Sequence, residues 1–438
     1  MNFLFLAIAV VVAVLIFFTV GCTTNAPFRK ETKDWIESTP EYKLGFVEFD
    51  DQGWFWDQRQ VKAVEELIRN ESGVGQSANR RGVVIVAFAH GWKNNAAPDN
   101  ANVEMFRATL KQLGAAELAQ TNHAPRKVVG VYAGWRGLSA TIEPFKELSF
   151  WNRKKAAHKV GGYGAMTELL VDLERLQQDS NEDLATNVPR TELIIVGHSF
   201  GGAAVYSAIS QIVTERFVDT IKRGKPLKPL GDQVILLNPA FEASRHYDLN
   251  QMAVYIEQYP ANQRPVLSIF TSKGDWATHY FFPLGRYFST LFEKNRDKQQ
   301  KKANRAAVGW FNSFITHSLD YKASAEATAQ GVANVKVPTK REPRSGAQLK
   351  AAIHNVQMQR AKWRPNNREA QTYYFQDSIL RPSKDYRPGD PILVVAVDKK
   401  IMKDHGDITN PVLIDFLGEY ILFCQKEPNR PAEAAPAK

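Results

Sequence analysis

The sequence predicts a doubly wound, mostly parallel α/β sheet with a large cap inserted before its last strand. Two observations carry this expectation. Six short apolar runs rich in Val and Ile lack polar alternation: Val83 to Phe88, Val128 to Tyr132, Leu193 to Val196, Val234 to Leu237, Val266 to Phe270 and Ile392 to Val397. Strands of that kind are covered on both faces, and the longer helical stretches between them supply right-handed crossovers. The rhythm then breaks once, between Phe270 and Ile392, so residues 276–390 read as a cap or lid.

Composition bounds the function. With 44% apolar and 23% charged residues over 438 positions, the body is ordinary for a folded domain, which excludes disordered, collagen-like and polytopic membrane chains. Two cysteines, Cys22 and Cys424, exclude a disulfide scaffold and a Cys-built zinc site. The formal charge of +10 is local: residues 276–390 hold 20 Lys+Arg against 9 Asp+Glu, leaving 36 against 37 elsewhere. That segment lacks aromatic-plus-basic recognition motifs, so no nucleic acid partner is expected. Without H-E-x-x-H, C-x-x-C or a P-loop, no metal or organic cofactor is implied either. Gly161-Gly162-Tyr163-Gly164 is a partial glycine fingerprint with no strand before it, a poor dinucleotide site.

Taken in order, residues 1–28 form a signal peptide or membrane anchor. Phe3 to Val20 is an 18-residue apolar run, long enough to meet a bilayer. It ends in Thr19-Val20-Gly21-Cys22, which resembles the lipobox of bacterial lipoproteins and implies lipidation of Cys22 at the cell envelope. The alternative is an uncleaved inner-membrane anchor with a cytoplasmic body, because Arg29, Lys30 and Lys33 follow the run and no basic residue precedes it. Residues 43–57 read as two short strands about an Asp-Gln-Gly turn, followed by an amphipathic helix through Val61, Ala63, Val64 and Leu67. The core is expected over 43–275 and 391–424, closing with a helix from about Pro411 that buries Cys424 as an inert thiol. The Pro/Ala-rich tail, 425–438, reads as a frayed terminus.

After the third apolar run comes Gly197-His198-Ser199-Phe200-Gly201-Gly202, with Ala203 and Ala204 opening a helix. This is G-x-S-x-G between a strand and a helix, where a strained turn lifts the Ser hydroxyl clear of the sheet. In that context the chain resembles the α/β-hydrolase superfamily over residues 43–275 and 391–424. The resemblance implies the order nucleophile, acid, histidine. It assigns Ser199 as nucleophile, Asp275 after the fifth run as acid and His405 after the last run as base, with Glu242 as the fallback acid. Such a triad activates a hydroxyl that is otherwise a poor nucleophile. Two N–H donors must hold the oxyanion. Phe200 supplies one, and Ala89-His90-Gly91-Trp92, which looks like the His-Gly loop of lipases and esterases, supplies the other at Trp92. Gly91 and His90 support that loop, His90 as a structural hydrogen-bonder. His-Gly-Trp-Lys-Asn-Asn also looks like a poorly characterised bacterial branch of the superfamily. His123, His158, His246, His279, His317 and His354 are left as surface or core residues.

The expected function is a membrane-attached serine hydrolase of the carboxylesterase or lipase type, acting on an acyl-ester or lipid-like substrate. Two alternatives stay open: a non-catalytic membrane-tethered binding protein, and a hydrolase-fold peptidase or acyltransferase. In the cap, Phe281, Phe282, Tyr287, Phe288, Leu291 and Phe292 precede Lys294, Arg296, Lys298, Lys301, Lys302 and Arg305. That pairing suits a membrane interface, or aromatics that pack on the core beside solvated cations. Both ends of the cap are expected at the carboxyl edge of the sheet, above Ser199.

Overall fold

A computed structural model describes residues 23–74, 80–119, 124–139, 145–182, 184–185, 188–224, 226–255, 259–260, 263–329, 344–363, 371–384 and 386–425. Its centre is an eleven-stranded sheet. In chain order the strands are β1 (Ile36–Ser38), β2 (Tyr42–Phe49), β3 (Val83–Ala89), β4 (Lys127–Trp135), β5 (Glu192–His198), β6 (Gln233–Leu237), β7 (Leu267–Ser272), β8 (His317–Tyr321), β9 (Tyr373–Tyr374), β10 (Ser378–Pro382) and β11 (Ile392–Val397). Across the sheet they lie in the order β1-β2-β4-β3-β5-β6-β7-β11-β8-β10-β9. From β2 to β8 every pairing is parallel, while β1, β10 and β9 add antiparallel edges. All six apolar runs are parallel strands, and the fold is α/β.

The absence of alternation in those runs has its cause in the layers. Along β3, Val83, Ile85, Ala87 and Ala89 join one core, while Val84, Val86 and Phe88 join the other. The first core lies under the helices Gln58–Ser72, Phe145–Gly162, Ala165–Asn181 and Phe200–Arg223; the second lies under Ala101–Leu118 and Pro411–Cys424. Local signals fix the helix starts: Asp57 accepts from the Arg59 amide, and Asn410 accepts from Val412 ahead of Pro411 in the first turn. Cys424 is buried against the second core, and burial pushes its thiol up to about 12.

Three expectations need correction. Of residues 43–57 only one strand forms, within β2, whose end meets Phe55 in a single antiparallel bridge across a turn in which the Asp50 carboxylate accepts from the Gln52 and Trp54 amides; the chain is then taken up at Asp57 as the cap of the next helix, which leaves no length for a second strand. Residues 276–390 are not solely a cap, since β8, β9 and β10 extend the sheet beyond β11. Nor do both ends of that segment lie at the carboxyl edge. Because β7 and β11 pair in parallel, Leu267 opposite Ile392, the segment leaves β7 at the carboxyl edge and must re-enter β11 at the amino edge. It therefore crosses the sheet, by way of β8 and β10. The run Phe3 to Val20, Cys22, His123 and the tail beyond residue 425 lie outside the described residues.

Candidate active site

Every loop that carries an expected site residue leaves the carboxyl edge of a parallel strand: His90 to Trp92 after β3, Ser199 after β5, Asp275 after β7 and His405 after β11. Parallel pairing thus places them along one edge. Ser199 sits between β5 and the helix Phe200–Arg223 with φ 55° and ψ −118°, in the left-handed region a side chain rarely adopts. What holds the strain is backbone crowding. Its amide donates to the Leu237 carbonyl, and its carbonyl accepts from the Ala203 and Ala240 amides. At Gly201 a Cβ would lie 2.1 Å from the Ala89 oxygen, so the helix start can approach β3 only without one.

The structure brings Ser199, His405 and Asp275 together. Ser199 Oγ and His405 Nε2 are 2.7 Å apart, and His405 Nδ1 and Asp275 Oδ2 are 2.9 Å apart. Ser199 and Asp275 are buried, while His405 keeps part of its ring open to solvent. Burial alone would raise the Asp275 carboxyl, but His405 and then Thr278 outweigh it and hold the group below its ordinary value. Asp275 is therefore a carboxylate that accepts from His405 Nδ1–H, which leaves Nε2 to accept the Ser199 proton. Asp275 also accepts from the Thr278 amide at 3.0 Å and from the Thr278 hydroxyl, which in turn accepts from Trp310 Nε1.

Glu242, the fallback acid, is elsewhere. It is buried in ion pairs with Lys154 and Arg286, and although burial opposes ionisation these cations hold it down at about 2. Gly91 lies against the nucleophile: a Cβ there would come 2.8 Å from Ser199 Cβ and 3.0 Å from His198 Nδ1. His90 is fully buried and stacked on Trp135, with its Nε2 accepting from the Trp135 amide at 3.0 Å and its Nδ1–H donating to the Gly91 carbonyl at 2.9 Å. Burial lowers it to about 4, so it stays neutral and structural, setting the loop rather than moving protons. Trp92 packs edge-on against Phe150, which also touches Phe200, so one aromatic wall joins the two expected oxyanion donors. Phe200 is the first residue of its helix, where amides lack intrahelical partners.

Two further residues shape the site. Asn238, at φ 43° just past β6, accepts the Ser272 amide on its Oδ1 and donates through Nδ2 to the Asp404 and His405 carbonyls. His198 Nε2–H donates to the same His405 carbonyl at 2.9 Å, and burial holds that ring neutral at about 3. Together they fasten the His405 loop to β5, β6 and β7. Of the other histidines, His246 and His317 are buried, His158 meets Arg245, and His279 stacks on Trp310. Among the described residues no cluster of three metal-ligating side chains occurs. A cavity of about 460 Å³ lies on the far side of the sheet, between β3, β5 and the helices Ala101–Leu118 and Pro411–Cys424. Among the described residues it adjoins the site loops only through Ile408.

Fold and site define the class as α/β-hydrolase-like, and part of the chain matches a family of that superfamily. Residues 173–315 match a family described as "Alpha/beta hydrolase of unknown function (DUF900)". That stretch contains Ser199 and Asp275 and stops before His405. An uncharacterized protein from Pseudomonas aeruginosa, known from its crystal structure, is similar at 9% identity with a TM-score of 0.22; the likeness covers 53% of this chain and 42% of that one, less than half its length. No curated protein matches the sequence.

Proposed function

We propose that the protein is a serine hydrolase that cleaves an acyl ester, attached to a membrane through residues 1–28 with Cys22 lipidated or the apolar run retained as an anchor. The observation that carries the proposal is the hydrogen-bonded chain Asp275–His405–Ser199 on a strained strand-to-helix turn. In the first half-reaction Ser199 Oγ bonds to the acyl carbon as its proton passes to His405 Nε2. That proton then goes to the departing alkoxide, the C–O ester bond breaks, and an alcohol leaves. In the second, His405 takes a proton from water, the hydroxide adds to the acyl carbon, and the carboxylic acid leaves as Ser199 recovers its proton. Asp275 keeps the imidazole in the required tautomer and stabilises the imidazolium. The Phe200 and Trp92 amides are assigned to the oxyanion. A fluorophosphonate probe tests the reading: labelling of the folded protein on Ser199, absent in Ser199→Ala, is the expected result, and an unlabelled wild type rejects it.

A further inference from the structure

We infer that the aromatic face of residues 276–292 rests on an anionic bilayer, and that the ester substrate is taken from that bilayer; the second part rests on the hydrolase reading above. The segment starts one residue past Asp275 and is helical to Ser289. Its inward stripe is fixed. Thr278 holds Asp275, Phe282 is fully buried, a Cβ on Gly285 would fall inside the Trp151 ring, and Arg286 is paired with buried Glu242. Helical spacing then forces the alternate positions outward. Trp276, Phe281, Leu284, Phe288, Leu291 and Phe292 are all exposed, Phe288 by 63% and Phe292 by 97%. Soluble surfaces rarely present so continuous an apolar stripe, and such a stripe marks an interaction site.

The surroundings select the occupant. Between Glu293 and Arg305 the chain carries six cations and two carboxylates, and Asp297 is already engaged by Arg296 and by the amide of Gln300. Lys294, Lys298, Lys301 and Lys302 are exposed beside the aromatic stripe. An apolar face continued by cations complements a bilayer with anionic headgroups, each cation adding about 1 kcal/mol there. At Thr23 the chain meets the same edge. Thr23, three residues after the apolar run, donates from its amide to the Ser139 carbonyl in the loop after β4. That loop is tied to the Trp92 loop by Lys93 N–H to Gly137 O and Gly137 N–H to Asn94 O. Thr23, the aromatic stripe and Ser199 therefore share the carboxyl edge of the sheet. This corrects the expectation that the apolar group ahead of the cations packs on the core: Phe281, Tyr287, Phe288, Leu291 and Phe292 are exposed, and of that group Phe282 alone is fully buried.

The full-length chain, reconstituted in nanodiscs of phosphatidylcholine alone or mixed with phosphatidylglycerol, tests this. Residues 1–22 contain no Trp, so quenching of tryptophan emission by brominated lipid reports on the body rather than on the leader. The expected result is quenching in anionic discs that is lost in Trp276→Phe and in Phe288→Glu/Phe292→Glu. Trp276 emission equally insensitive to brominated lipid in both discs, including through burial against a second copy, overturns the docking. The second readout compares an ester dissolved in the bilayer with a water-soluble short-chain ester. Phe288→Glu/Phe292→Glu should lose at least about tenfold on the first and change less than about twofold on the second, because only the first requires docking. Equal effects on both esters overturn the substrate assignment. Failure of the wild type on both esters and with the fluorophosphonate rejects the hydrolase reading, while lipid quenching still decides the docking independently.

Discussion

At the scale of single residues, the chemistry depends on which proton each imidazole holds. His90 and His198 are buried neutral rings, each with one N–H committed to a backbone carbonyl, so neither can serve as base. Among the described histidines His405 alone faces a carboxylate on one nitrogen and a hydroxyl on the other. Ser199→Ala and His405→Ala should each remove nearly all ester turnover, about 10⁴-fold or more, and the double variant should be scarcely worse, because residues acting as one unit are non-additive. Steady-state kinetics on a short-chain ester check this; additive losses would mean that the two act independently. Asp275→Asn should cost less than either. Glu242→Gln should leave kcat within about threefold yet destabilise the fold by about 3–5 kcal/mol, since it strands the buried Lys154 ammonium. Ser199, Asp275 and His405 were legible because their residue types and chain order are tied to strand ends. Asn238 and Thr278 were not: an Asn after a strand or a Thr in a first helical turn is commonplace, and their roles exist only through neighbours far along the chain.

At the scale of elements, buried parallel strands and edge strands leave different traces. The six runs read directly because both faces of each are covered, which demands apolar residues throughout. By contrast β1 and β9, the two edges, span three and two residues and merge into the surrounding loops, and β8, although paired on both sides, alternates buried and half-buried positions over five residues. The carboxyl-edge loops are likewise elements with their own supports. Asn238 joins the loop after β6 to β7 and to the His405 loop, and it does so from a left-handed backbone that Asn tolerates. Asn238→Ala should loosen the His405 carbonyl and displace the imidazole from Ser199. A shift of about 1 Å costs on the order of 10²-fold in rate, so fluorophosphonate labelling should slow by about 10- to 100-fold with the fold intact by circular dichroism. An unchanged labelling rate would assign the loop's position to His198 alone.

Across the whole molecule, the sheet sorts function to one edge and stability to the other. The segment after β7 starts at the site and ends on the opposite edge, where Pro391 leads into β11. Just before it, Asp390 is buried near Tyr259, Tyr386 and Arg387, with its Oδ1 accepting from the Ile392 amide at 2.8 Å. Burial pushes this carboxyl up to about 7, the Ile392 amide and Arg387 offsetting only part of it. Between about pH 4 and 7 the folded protein then holds a proton that the unfolded chain has released. Stability must fall as pH rises through that window, by up to about 4 kcal/mol for a shift near three units, and level off above it. Asp390→Asn keeps the acceptor for the Ile392 amide and removes the titration. The variant should therefore unfold at higher denaturant than the wild type at pH 8, and the two curves should converge toward pH 4. Urea midpoints measured across that range check the sign, and a variant less stable at pH 8 would show that the ionised carboxylate is a net support for the β11 entry.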